Sequence, residues 1–183
     1  MIQQTYIDPK LTDKALLPIR QKLENNLLWL RSAFGVCEVH TDNDKKKRPI
    51  IYQNGIDSID LFPNDRYGNF SFFHRRDGDE FEQINTRTLK INSPLSLIMW
   101  GRFKDVSTDN ELISVENVKH EVLQVLKSIR NKSLKIELQK IYSNPAKVYN
   151  SFTTSEIDGS QTMRPFFCLR FDLDLKFYDT DFC

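Results

Sequence analysis

Pro165-Phe-Phe-Cys-Leu-Arg-Phe-Asp-Leu-Asp-Leu-Lys-Phe-Tyr178 is the stretch whose reading decides the fold. Phe167, Leu169, Phe171, Leu173, Leu175 and Phe177 occupy alternate positions, with Cys168, Arg170, Asp172, Asp174, Lys176 and Tyr178 between them. Alternation of this length has the two-residue period of a β-strand and fits no helix. At ~3.3 Å per residue the strand would run roughly 40 Å, far beyond the common length. The apolar side is expected to face a core. The mixed-charge side is expected to face water or a charged partner.

A second long strand is expected over Thr88 to Lys104, where Leu89, Ile91, Leu95, Leu97, Met99 and Phe103 alternate. Pro94 interrupts its ladder and implies a bulge or an edge position. An N-terminal arm, residues 1–11, precedes a helix capped by Thr12 or Asp13. That helix carries the stripe Leu16, Ile19, Leu23, Leu27, Leu30 and Phe34 and ends at Gly35. Short strands follow over Val36 to His40, Pro49 to Tyr52, Ser58 to Phe62 and Asn69 to Arg75. Asn54-Gly55 marks a turn, and Asp77-Gly78 a type I′ hairpin returning as Phe81 to Ile84. Ser114 caps a helix with the stripe Val115, Val118, Val122, Val125, Leu126 and Ile129. Leu134 to Tyr142 is expected as a third helix, stopped by Pro145, and Ala146 to Phe152 as a strand. Helices flank a block of strands instead of alternating with them. This predicts a single α+β domain over 1–183, with a mostly antiparallel sheet and an N-terminal helix and central helix pair on one face.

With 183 residues, 39% hydrophobic and 28% charged, the chain can bury a real core. Thirteen Phe and six Tyr against six Gly favour β-rich packing. The net charge of +1 excludes bulk attraction to polyanions, yet charge is uneven: residues 115–149 hold seven Lys/Arg against three Glu, and residues 153–183 six acids against three bases. Cys37, Cys168 and Cys183 form no C-x-x-C pair, and their odd number predicts reduced thiols in a cytosolic setting. No apolar run approaches the ~20 residues of a membrane span, and the N-terminus has no signal-peptide pattern. The polar loops over Thr41–Arg48 and Thr153–Arg164 are expected to be mobile in an isolated subunit.

His40, His74 and His120 have no metal-ligand spacing, and no phosphate-binding or nucleophile-elbow motif occurs, so neither metal nor cofactor is expected. Cys37 and His40, three apart on a strand, point to opposite faces and make no thiol–base pair. Asp174-Leu-Lys176 resembles the acid-x-Lys element of restriction-type nucleases, where acids bind a divalent metal and the lysine sits beside the attacking water. Asp172 shares that face, and Asp60 or Asp65 would supply the further acid. Lys45, Lys46, Lys47 and Arg48 form a basic run that can meet nucleic-acid phosphates, although no aromatics interleave it.

The layout resembles the tail-terminator and tail-completion proteins of tailed bacteriophages. The matching segments are the Leu16–Phe34 stripe, Leu95 to Phe103, Val115 to Ile129 and Phe167 to Phe177. This resemblance implies a structural virion protein without enzymatic activity, located in the tail or neck. It implies a homo-oligomeric ring, usually a hexamer, around a DNA channel, with other neck and tail-tube proteins as partners and no membrane. The expected oligomer interface is the face bearing Arg170, Asp172, Asp174 and Lys176, with Trp29, Trp100, Ile2 and Tyr6 supplying apolar contact.

Overall fold

A computed structural model describes residues 10–53, 57–63, 65–106, 114–129 and 131–179. In chain order the elements are α1 (Leu11–Asn26), β1 (Ser32–Val36), β2 (Glu38–Thr41), β3 (Lys47–Gln53), β4 (Asp57–Asp60), β5 (Phe70–Arg75), β6 (Glu80–Asn85), β7 (Thr88–Arg102), α2 (Val115–Ser128), β8 (Leu134–Tyr142), α3 (Pro145–Val148) and β9 (Phe166–Asp179). The expected arm, with Ile2 and Tyr6, lies almost entirely outside the described residues, as does the Asn54-Gly55 turn.

The two alternating segments pair with each other. β7 and β9 run antiparallel in an unbroken register from Leu89 opposite Asp179 to Arg102 opposite Phe166. Around them the main sheet has the order β1-β5-β7-β9-β8, with β6 also on β7; β1 beside β5 is its one parallel pair. The fold is therefore α+β with a mostly antiparallel sheet. β5 and β6 share one edge of β7, end to end, so Asp77-Gly78 bends the chain between two collinear strands instead of closing a hairpin. Pro94 explains the break. Its carbonyl accepts from Arg76 N, so the N–H it lacks would face the junction where β5 stops and β6 has yet to begin. The expected edge position is thus a local gap in the middle of a long strand.

One face of the sheet packs against α1 and α2. Leu16, Ile19, Leu23, Val118, Val122 and Leu126 close over Leu95, Leu97, Met99, Leu169, Phe171 and Leu173. Ser114 caps α2 as expected, in a reciprocal capping box with Asn117. The other face is covered too. β3, β4 and the α3 segment bring Ile51, Ile59, Phe62, Val148, Tyr149 and Phe152 against Phe70, Phe72, Ile98, Trp100 and Cys168. β2, β3 and β4 form a separate antiparallel sheet.

Further elements differ from expectation, and α1 begins at Leu11 with Lys10 at its N-cap, so neither Thr12 nor Asp13 caps it. Leu134 to Tyr142 is a strand, not a helix. Its ladder on β9 slips between Leu138 and Lys140, so Leu134, Leu138 and Ile141 face the helix side although their spacing imitates a helical turn. Among the described residues there is accordingly one long central helix and no helix pair. α1 ends at Asn26, after two adjacent asparagines that are poor helix formers. Leu27, Leu30 and Phe34 stay buried, but Phe34 belongs to β1 and Gly35 lies inside that strand. Finally, Pro145 starts a short helix capped by Asn144, where the sequence suggested a strand.

Phe171 is fully buried between the helices and the sheet, whereas Leu28 is 93% exposed. Phe171→Ala should destabilise the fold by about 3–5 kcal/mol, and Leu28→Ala by less than about 0.5 kcal/mol. Urea unfolding of both variants beside wild type would check this contrast.

Candidate functional site

Covering the second face of the sheet encloses the charges that β9 carries there. Arg170 and Asp172 are each 6% exposed. The main-sheet register sets His74, Ser96 and Asp172 side by side on β5, β7 and β9. Ser96 Oγ donates to Asp172 Oδ1 at 2.7 Å, and Arg170 Nε reaches the same oxygen at 2.7 Å. Arg170 Nη1 donates to Asn150 Oδ1, and its guanidinium lies 5.7 Å from the centre of the Tyr142 ring. One turn of the seam further, Arg76 Nη2 donates to Asp174 Oδ1 at 2.5 Å and to the Leu173 carbonyl at 2.9 Å. Gln139 Nε2 takes Asp174 Oδ2 at 2.8 Å. Two guanidiniums and two carboxylates thus form a neutral seam that binds β5, β7, β8, β9 and the α3 segment together.

This geometry corrects the expected interface. Arg170 and Asp172 are interior groups of the single chain. Trp100 is fully buried, stacked on Phe166 with its Nε1–H on the Gln161 carbonyl. Trp29 is 7% exposed, edge-on to Phe167, with its N–H on Glu121 Oε2 at 2.8 Å. Asp174 and Lys176 are half-buried at the sheet rim.

Nor does the acid-x-Lys pattern gather as such. Both oxygens of Asp174 are engaged, and Lys176 Nζ pairs with Glu137 Oε2 at 2.7 Å. Lys135 holds the other oxygen of Glu137, and these two lysines draw that carboxyl down to about 2. Asp60 accepts from Phe62 N at 2.8 Å and lies 3.5 Å from Arg48. The side chain of Asp65 lies outside the described residues. Among the described residues no cluster of three or more His, Cys, Asp or Glu is arranged to hold a metal.

The basic run also changes character. Lys46 pairs with Glu156 at 2.8 Å, and Arg48 pairs with the same carboxylate and lies 3.5 Å from Asp60, so two of the four bases are ion-paired within the subunit. Lys46 first, then Arg48, pull the Glu156 carboxyl below its ordinary range. Lys47 N donates to Thr153 Oγ1, and Lys47 O accepts from Thr153 N. The two polar loops therefore hold each other, leaving Lys45 and Lys47 as the exposed bases of the run.

One pair escapes sequence reasoning altogether. Cys37 Sγ lies 3.9 Å from His74 Nδ1 because the chain after β1 runs beside β5, a parallel pairing with no local signal. Burial pushes the Cys37 thiol up to about 12, with Glu38 adding to it. Burial, then the Arg170 charge, pushes His74 down to about 4. Both groups are neutral near pH 7, and a thiol held protonated is a poor nucleophile. Ser96 likewise gives its proton to Asp172, not to His74, so the Ser, His and Asp of this row do not form a relay. His40 and His120 are exposed.

No protein-family model and no curated protein sequence matches this chain. No helix among the described residues is long and apolar enough to cross a membrane.

Removing one partner of a buried ion pair leaves an uncompensated charge. Asp172→Ala should therefore cost about 3–5 kcal/mol, whereas the apolar double replacement Arg170→Met with Asp172→Leu should cost much less. Denaturant unfolding of the single and double variants would decide it. His74 supplies a pH test. Its folded pKa, about 4, lies below the ordinary 6.5, so the unfolded chain takes up the proton first. Stability is expected to fall as pH drops from 6.5 towards 4, by on the order of 3 kcal/mol from this group. His74→Phe should flatten that part of the pH profile.

Proposed function

We propose that this chain is a structural subunit of a tailed-bacteriophage virion. On this reading it resembles a tail terminator and assembles as a homo-oligomeric ring, usually of six copies in the family it resembles, at the head–tail neck around the DNA channel. The observation that carries the reading is the element order: an N-terminal helix, a strand block, the long strand β7, the helix α2 and a final long strand β9 lying along β7, with both helices on one face. Layout alone does not carry function. A second support is the division of the molecule's chemistry. The groups best suited to catalysis are tied to one another inside the sheet, while large apolar side chains stand exposed on separate elements: Phe81 and Ile84 on β6, Val39 on β2 and Tyr52 on β3. A ring needs a repeated contact between two different surfaces, and such side chains supply its binding energy. Other neck and tail-tube proteins would be the partners, and Lys45 and Lys47 are the bases of the run free to touch passing DNA. The metal-dependent nuclease reading draws less support, because Asp174 is saturated by Arg76 and Gln139 and Lys176 is turned to Glu137.

Mixed with its neck or tail-tube partners, the purified protein should appear as rings by negative-stain electron microscopy. It should leave DNA intact in Mg²⁺ or Mn²⁺. Cleavage that disappears in Asp174→Ala would replace this reading with the nuclease, and an absence of any ring with every neck and tail component would remove the assembly role.

A further inference from the structure

The two outer edges of the main sheet are treated differently. At β1, side chains of α1 take up the outward backbone groups: Arg20 Nε donates to the Ala33 carbonyl at 2.7 Å, and Glu24 Oε1 accepts from Ala33 N at 2.9 Å. That edge is closed to another strand. At the opposite edge, β8 spans Leu134–Tyr142, and among the described residues no backbone group of 135–142 is bonded beyond its ladder with β9. Lys135, Leu138, Gln139 and Lys140 are exposed, Leu138 by 42%. A long open edge with an exposed leucine is a template for another strand.

The slip in β8 selects which strand fits. Before it, Leu134, Ile136 and Leu138 lie opposite Phe177, Leu175 and Leu173; after it, Ile141 lies opposite Phe171 and Lys140 opposite Asp172. One face of β8 thus carries Leu134, Ile136, Leu138 and Ile141, and the other Lys135, Glu137, Lys140 and Tyr142. In an antiparallel pair, opposed residues must share a face. For β8 against a second β8, one register satisfies this at every pair except the bulge, where Leu138 meets Gln139, while engaging the whole of 135–142. It sets Ile136 against Ile141, Glu137 against Lys140 and Lys135 against Tyr142, each twice about a two-fold axis. A shift one way sets Lys135 against Lys140. A shift the other way engages only 137–142. Opposite charges and apolar pairs directly across a ladder stabilise it, and like charges there oppose it.

We propose that β8 is a self-association edge, through which two copies of this chain pair antiparallel and join their main sheets into one. Lys140 discourages indiscriminate pairing at this edge, and Glu137 of a second copy, which already holds Lys135 and Lys176 of its own chain, answers that charge as a further cation partner, which makes the edge selective for its own kind. The contact is isologous and closes on itself, so it stands apart from the ring reading, which needs a heterologous contact elsewhere. The other uncapped edge, β6, is a six-residue strand bearing Glu80 and Glu82.

Sedimentation equilibrium of the full chain over roughly 1–100 µM tests this. Wild type is expected to dimerise. Lys140→Glu, which sets Glu against Glu137 twice, should weaken the dimer by at least about tenfold. Glu137→Lys combined with Lys140→Glu should restore it, with circular dichroism and thermal melts showing that each variant is folded. A wild-type monomer throughout the range overturns the proposal. So does a dimer indifferent to Lys140→Glu, and so does one broken by Glu82→Lys alone, which would place the contact at β6.

Discussion

The β7–β9 ladder is the constraint on which the rest of the molecule depends. Its register runs without slippage from Leu89 opposite Asp179 to Arg102 opposite Phe166, and most of its side chains are buried on both faces. Every strand of the main sheet except β1 hydrogen-bonds to one of these two: β5 and β6 to β7, and β8 to β9. A one-residue slip would exchange the two faces of the strand and send Arg170 and Asp172 into the helix-side core. Register here is held by burial, and the burial is shared by two separate cores.

Covering both faces has a chemical consequence. A strand with apolar residues on one side and charges on the other ordinarily has one wet face. Here the small sheet and the α3 segment close that side, so its charges can persist only by answering one another. Arg170 answers Asp172 and Asn150, Arg76 answers Asp174, and Ser96 supplies a further donor. Buried ionic groups give little net stability over apolar replacements. Their contribution here is geometric: the directional bonds of Arg170 and Arg76 fix where the α3 segment and the Arg76 bend sit on the sheet. The same interior location that saturates these groups also holds Cys37 and His74 neutral.

The apolar groups left outside define what the surface offers. β1 has its edge occupied by Arg20 and Glu24, whereas β6 and β8 do not, and Phe81, Ile84 and Leu138 stand exposed on those two strands. Strand edges and exposed aliphatics are costly in a protein that must stay alone, and useful in one that assembles.

Local pattern determined a good part of this molecule. Two-residue alternation specified β7 and β9, the Ser114 cap and its valine stripe specified α2, and the order of elements specified the α+β class. Where apolar spacing was ambiguous, pattern failed. Leu134, Leu138 and Ile141 read as a helical stripe because a bulge at Gln139 shifts a strand's period, and Leu27, Leu30 and Phe34 extended a helix that stops at Asn26. Only tertiary structure decided which face of β9 meets water, because that depends on distant segments, β3–β4 and Val148–Phe152, folding over it. For the same reason Trp29 and Trp100 lie inside, Glu156 pairs with Lys46 and Arg48 of the basic run, and His74 meets Cys37. Each of these contacts joins residues whose proximity no local period encodes.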